Sequence, residues 1–182
     1  MKKVLIINGS FRKNSFNGQL AKEIEKLISD KVQVSQLEYA DVPLYNQDEE
    51  LPAPESVERV RKEVLSADGI WIVTPEYNYH IPGVLKNLLD WLSRPIIPKD
   101  WKTGSAVKNK PVAISGVAGK SAAKGARENL KSILGFISMN VIGDIGTGVS
   151  LTPDAYQSDI LNISDEDREK LKVQAEEFLA RI

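Results

Sequence analysis

The run Val4-Leu5-Ile6-Ile7 constrains the fold more than any other feature of this chain. It sits between two lysines and Asn8-Gly9, and all four residues are apolar. A strand with one wet face alternates apolar and polar residues. An unbroken short run fits a strand covered on both faces, as in the centre of a parallel sheet. The spacing then changes. Leu20, Ala21, Ile24, Leu27 and Ile28 recur at helical intervals. Between strand and helix, Ser10, Arg12, Ser15 and Asn17 offer small polar side chains and one guanidinium. The loop therefore opens onto a helix N-terminus, where free N–H groups and the helix dipole favour an anion such as a phosphate.

The same alternation continues along the chain. Strand patterns are expected at Lys31–Leu37 (weaker, edge-ward), Gly69–Thr74, Pro111–Ser115 and Met139–Ile142. Helical stripes are expected at Glu55–Ser66, Gly83–Leu92, Ser121–Ile137 and Ser164–Ile182. Ser164 with Asp167 three residues on resembles a capping box. Five strands alternating with five helices predict one α/β domain with a parallel sheet over residues 1–182. Ligands of such sheets bind beyond the carboxyl ends of the strands, so the loops after the first, third and fourth strands matter most.

Composition removes several kinds of chemistry. With no cysteine, thiolate nucleophiles, disulfides and thiolate metal sites are excluded, and a single histidine, His80, disfavours a histidine metal site or triad. A net charge of -1 gives no basic excess for nucleic acid. The opening apolar run is too short for a signal peptide and no later run approaches ~18 apolar residues. No membrane association and a cytoplasmic protein are the expectation.

Each loop has competing readings. In the first, Gly9 stands alone until Gly18, which does not match a dinucleotide fingerprint. Gly119-Lys120-Ser121 has Ile114 where a triphosphate loop needs glycine. A monophosphate site remains, against a plain polar turn with a helix cap. The second loop, Thr74–Gly83, sets two tyrosines, Glu76, Asn78 and His80 between Pro75 and Pro82. It suits the edge of a planar ring, or else a packed turn. The third, Ser115–Gly125, is rich in glycine and alanine, suited to close ligand approach or to a flexible connection.

Two segments together, Gly9-Ser10-Phe11-Arg12-Lys13-Asn14-Ser15-Phe16-Asn17 and Pro75-Glu76-Tyr77-Asn78-Tyr79 with Pro82-Gly83, resemble the flavodoxin-like NADPH-dependent FMN reductases. Leu85-Lys86-Asn87 and Asp90-Trp91 extend the resemblance. It implies a three-layer α/β/α fold with a five-stranded parallel sheet in the order 2-1-3-4-5. It also implies FMN as cofactor, NADPH or NADH as co-substrate, and a small acceptor such as a quinone, azo compound, free flavin or chromate. By resemblance, Ser10, Arg12, Ser15, Phe16 and Asn17 hold the FMN phosphate. Pro75, Glu76, Tyr77 and Asn78 line the isoalloxazine, and Ser115 with Gly116 its other edge. The flavin N5 carries the hydride, and no side chain need act as nucleophile. Backbone N–H groups of Glu76–Asn78 would stabilise the reduced ring. A flavodoxin-type electron carrier and a flavin-free regulatory or scaffold protein are the alternatives.

His80 stands where the family has a small hydroxyl residue, and the segment Pro95–Lys108 with Trp101 is longer than usual. Both are expected to border the acceptor. The resemblance also implies a homodimer or homotetramer, the usual state of family members. In Gly83–Leu92, Val84 and Trp91 widen the stripe of Leu85, Leu88, Leu89 and Leu92. A helix apolar on more than one face predicts a second covering element, either another subunit or the Pro95–Lys108 loop.

Overall fold

The structure is a computed structural model that describes residues 1–97, 99–100 and 102–182. Its strands are β1 (Lys3–Asn8), β2 (Gln33–Gln36), β3 (Gly69–Thr74), β4 (Pro111–Ala118) and β5 (Asn140–Ser150). Its α-helices are α1 (Phe16–Ile28), α2 (Glu55–Ser66), α3 (Gly83–Leu92), α4 (Lys124–Phe136), α5 (Pro153–Ser158) and α6 (Asp165–Leu179). The five strands are parallel and lie in the order β2-β1-β3-β4-β5, as the resemblance implies.

The continuous apolar runs now have a reason. Successive side chains of a strand point to opposite faces, so both faces need filling. Leu5 and Ile7 of β1 and Ile70 and Ile72 of β3 pack into a core with Val60 and Val64 of α2, Leu85 and Leu88 of α3 and Leu130 of α4. Val4, Ile6, Trp71 and Val73 face the other way, against Leu20, Ile24 and Ile28 of α1 and Leu171 and Phe178 of α6. Among the described residues, no helix is long and apolar enough to cross a membrane.

The second face of α3 is covered from within the chain. Asn87 donates to Pro43 O (2.9 Å) and accepts from Tyr45 N (2.8 Å). Trp91 Nε1 also donates to Pro43 O (2.8 Å), and the Tyr45 ring meets Trp91 edge-on at 4.9 Å. Pro43–Tyr45, which neither sequence alternative named, thus covers part of α3, while Ala106 and Val107 of the Pro95–Lys108 loop are buried in the same core as Leu85, Leu88, Leu89 and Leu92.

Several boundaries differ from the sequence patterns. β2 is shorter, with Val32 and Leu37 buried just outside it. α4 starts at Lys124 because Ala122 and Ala123 have positive φ (49° and 57°). α5 had no periodic signal; it is a single short helix capped by Thr152, whose Oγ1 accepts from Ala155 N. α6 starts as expected, with Ser164 Oγ accepting from Asp167 N (3.1 Å).

The largest difference is β5, which runs to Ser150 through a wide bulge. Ala113 pairs with Ile142 and Ser115 with Thr147, so Ile114 alone faces Gly143–Gly146. Gly146 has φ +62°, and a Cβ there would overlap the Ile114 carbonyl oxygen, so only glycine fits. The bulge separates Ile114 O from Thr147 N, and α6 fills the gap. Buried Gln174 donates to Ile114 O (2.7 Å), and its Oε1 accepts from Thr147 N (3.0 Å) and Ser115 Oγ (3.2 Å). A side-chain amide therefore stands in for a missing strand.

Candidate active site

The loops after β1, β3 and β4 meet at one end of the sheet around a cleft of about 450 Å³. Its lining includes Ser10, Arg12, Ser15, Phe16, Asn17, Pro75, Glu76 and Tyr77. This volume lies within the ~300–1,000 Å³ usual for small-molecule sites. A larger cavity of about 680 Å³ lies between the β5 bulge and α6. Its lining sets Glu166, Glu169 and Glu177 against Arg127, which bonds the Ile145 and Gly146 carbonyls, and Lys170, which pairs with Glu166. It includes no aromatic among the described residues, which does not suit an anionic, planar ligand.

The first loop is built around the start of α1. Ser15 is the N-cap, its Oγ accepting from Gly18 N (2.8 Å). Ser10 Oγ accepts weakly from Arg12 N at 3.4 Å. Phe16 and Asn17 supply the first N–H groups of the helix, which have no intrahelical acceptor. The Asn17 side chain is spent elsewhere: it donates to Val117 O (3.0 Å) and accepts from Val117 N (2.9 Å), strapping α1 to the end of β4. Arg12 lies over the Phe16 ring at 5.2 Å. Both of its terminal nitrogens bond Asp159, at 3.0 and 2.8 Å.

The second loop is a tight hairpin. Tyr77 N donates to His80 O (2.9 Å) and His80 N to Tyr77 O (3.0 Å). Asn78 and Tyr79 between them have φ of 53° and 63°, as a type I′ turn requires. This commits the Tyr77 N–H, leaving those of Glu76 and Asn78 for a ligand. The turn is exposed, and Asn78 and His80 are outside the cleft lining. His80 Nδ1 accepts from Ile81 N (3.0 Å), so the neutral ring carries its proton on Nε2. Trp101 lies outside the described residues.

Glu76 bridges two loops. Its carboxylate accepts from Ser121 Oγ (2.7 Å) and Ala126 N (2.9 Å), at the N-terminus of α4. The N-cap of α4 is Ala123, which has no side-chain acceptor, so Glu76 serves as that cap from the loop after β3. Burial raises its pKa, but the bonds from Ser121, Ala126 and Gly125 and the nearby Arg127 charge outweigh it and hold the carboxyl below its usual range. A lowered folded pKa stabilises the fold above the unfolded value and is lost as pH falls through the folded one. Glu76→Gln is therefore expected to cost ~0.5–2 kcal/mol at neutral pH. The cost should vanish in acid. Urea midpoints of both proteins from pH 7 to pH 3 check this, and parallel curves at every pH would reject it.

Ser115 and Gly116 occupy other positions than the resemblance implies. They lie within β4, not beyond it. Ser115 is fully buried, accepting from Trp71 Nε1 (3.1 Å) and donating to Gln174. Gly116 packs so closely that a Cβ would stand 2.5 Å from Thr74 O. The cleft is instead reached by Val117, Ala118 and Gly119. Leu151, Tyr156 and Asp159 complete the lining, and no sequence spacing pointed to them. Asp159 is 147 residues from the arginine it binds.

A family model described as NADPH-dependent FMN reductase matches residues 2–152. The chain belongs to this family. An NAD(P)H-dependent FMN reductase of Pseudomonas aeruginosa is 34% identical over 174 residues, 94% of this chain and 90% of that one. A 2-hydroxy-1,4-benzoquinone reductase of Burkholderia is 37% identical over 134 residues, 72% of this chain and 73% of its own. Among solved structures, the flavoenzyme FerB, an NAD(P)H:(acceptor) oxidoreductase from Paracoccus denitrificans, aligns with a TM-score of 0.85 and 30% identity. That alignment covers 100% of this chain and 97% of FerB. An azoreductase from Bacillus anthracis shares the fold at 18% identity and a TM-score of 0.59.

The cleft of this family member fits FMN. Two buried hydroxyls, two free helix N–H groups and one arginine suit a monophosphate. Phe16, Pro75, Tyr77 and Tyr156 supply apolar and aromatic surface for a ring system.

Proposed function

We propose that the protein is an NAD(P)H:acceptor oxidoreductase that holds FMN in this cleft and reduces small quinone-type or azo acceptors. One observation carries the reading: the anion-binding start of α1 and the rigid Pro75–Tyr77 turn line a single cleft at the carboxyl end of the sheet. Ser10, Ser15, Arg12 and the N–H groups of Phe16 and Asn17 would hold the phosphate. Pro75, Tyr77 and the N–H groups of Glu76 and Asn78 would border the ring, with Val117–Gly119 opposite. When bound, FMN supplies hydride acceptance and donation between NAD(P)H and the acceptor. The chain supplies position and shielding from water, which agrees with a sequence that has no cysteine and one histidine. Glu76 acts by capping α4 rather than by moving a proton.

The test is the visible spectrum of the purified chain. A flavin spectrum that bleaches with NADPH without air and returns on adding a quinone supports the reading. A colourless chain that takes up no FMN would refute it. His80 and Trp101 are proposed to border the acceptor. His80→Ser is expected to change the ratio of kcat/KM for a quinone over an azo dye at full flavin content; an unchanged ratio removes His80 from that role. A cytoplasmic homodimer or homotetramer belongs to the same reading. Leu44, in the segment on α3, and Tyr79, in the turn against α4, are 83% and 82% exposed, apolar surface that a second copy would cover. Sedimentation at a single ~20 kDa species would exclude it.

A further inference from the structure

The Arg12 guanidinium is already occupied. Its NH1 and NH2 meet the two carboxylate oxygens of Asp159 in a bidentate pair, at 3.0 and 2.8 Å. Asn14 Nδ2 adds a bond to the same carboxylate at 2.7 Å. Asp159 lines the cleft itself. The fork that would grip a phosphate is therefore holding an anion supplied by the chain. The charges of the pair cancel, so an incoming dianion meets a neutral pair in which both terminal guanidinium nitrogens are committed.

The pair is not needed to keep this segment in place. Its side chains are 49% and 43% exposed, and exposed ion pairs contribute little to stability. Backbone contacts hold the segment instead. Asn14 Nδ2 and Gln19 Nε2 both donate to Asp159 O at 3.0 Å, and Gln19 Oε1 accepts from Leu161 N at 2.8 Å. The Asp159 carboxylate is thus free to be displaced without moving its backbone. The bonds from Arg12 and Asn14 hold its carboxyl below the usual range, so it stays charged at neutral pH.

We propose that Asp159 is an internal competitor for Arg12, a carboxylate that a flavin phosphate must displace, and that it sets the affinity and association rate of FMN. The inference rests on FMN binding in this cleft. It assigns a role to a residue in a segment beyond the family's matched region, residues 2–152. The opposite role would be a brace that holds Arg12 ready for phosphate. The two predict opposite signs for the same substitution.

Asp159→Asn isolates the charge. Asp159 has φ 57°, a left-handed conformation that asparagine tolerates well, and the contacts to its carbonyl are unchanged. Flavin-free full-length protein is titrated with FMN and with riboflavin by fluorescence quenching, and FMN association is followed by stopped flow. The expected result is FMN binding about tenfold tighter, ~1.4 kcal/mol, with faster association. Riboflavin, which has no phosphate, should bind both proteins equally, which also shows that the variant is folded. Unchanged or weaker FMN binding with riboflavin binding intact overturns the proposal and leaves the functional reading standing. Failure of the wild-type chain to bind either flavin overturns both.

Discussion

Arg12→Ala is expected to weaken FMN binding by about 10- to 100-fold. A hydrogen bond to a charged group is worth roughly 1.5–3 kcal/mol, which converts to that range. The structure argues for its upper end. Among the described residues, Arg12 supplies the only guanidinium of the cleft lining, and removing it also strands Asp159 beside the phosphate site. An unpaired carboxylate facing a dianion adds repulsion to the lost attraction. Arg12→Lys should fall between, because an ammonium keeps the charge but not the planar fork. Riboflavin affinity should move little in either variant, since the ring-bordering residues are untouched. Fluorescence titration of flavin-free protein measures all of these. Equal FMN affinity in the wild type and Arg12→Ala would mean that the helix N–H groups and serine hydroxyls alone carry the phosphate.

Much of this architecture was legible in local pattern. Val4–Ile7 and Gly69–Thr74 read as buried strands because both their faces meet helices. The phosphate-type loop and the Pro75–Pro82 turn read as site elements because each carries its chemistry within about ten residues. Illegible features depended on distance or on glycine. Gly116 looked like a strand end, yet it is a glycine because the ladder brings Thr74 O close to it. Gly143, Gly146 and Gly148 made β5 look like loop, although Gly146 is what lets the bulge form against Ile114. Asp159 had no local signature, since its meaning lies in an arginine at the other end of the chain. Part of the cover over α3 was missed for the same reason: Pro43–Tyr45 has no periodic pattern, and its role is to accept from Asn87 and Trp91.

Gln174→Leu is expected to destabilise the protein severely although Gln174 is outside the cleft. In the intact chain its amide satisfies Ile114 O and Thr147 N, which the bulge has pulled apart. Leucine fills a similar volume but leaves both backbone groups buried without partners. Each such group costs about 1–3 kcal/mol, so the sum is roughly 2–6 kcal/mol, against a total stability on the order of 5–15 kcal/mol. The extra apolar burial of leucine offsets part of this, which still leaves a fall in Tm on the order of 10 °C for a chain of this size. Glu176→Leu, on the exposed side of the same helix, is the control and should shift Tm little. The effect should also reach the cleft. Ser115 loses its acceptor, and the paired register of Ser115–Ala118 with Thr147–Ser150 carries Val117 and Ala118 into the lining. Flavin retention at 25 °C should therefore drop in Gln174→Leu and not in Glu176→Leu. Equal Tm shifts for the two variants would show that the ladder closes without the amide, and that the bulge needs no support from α6.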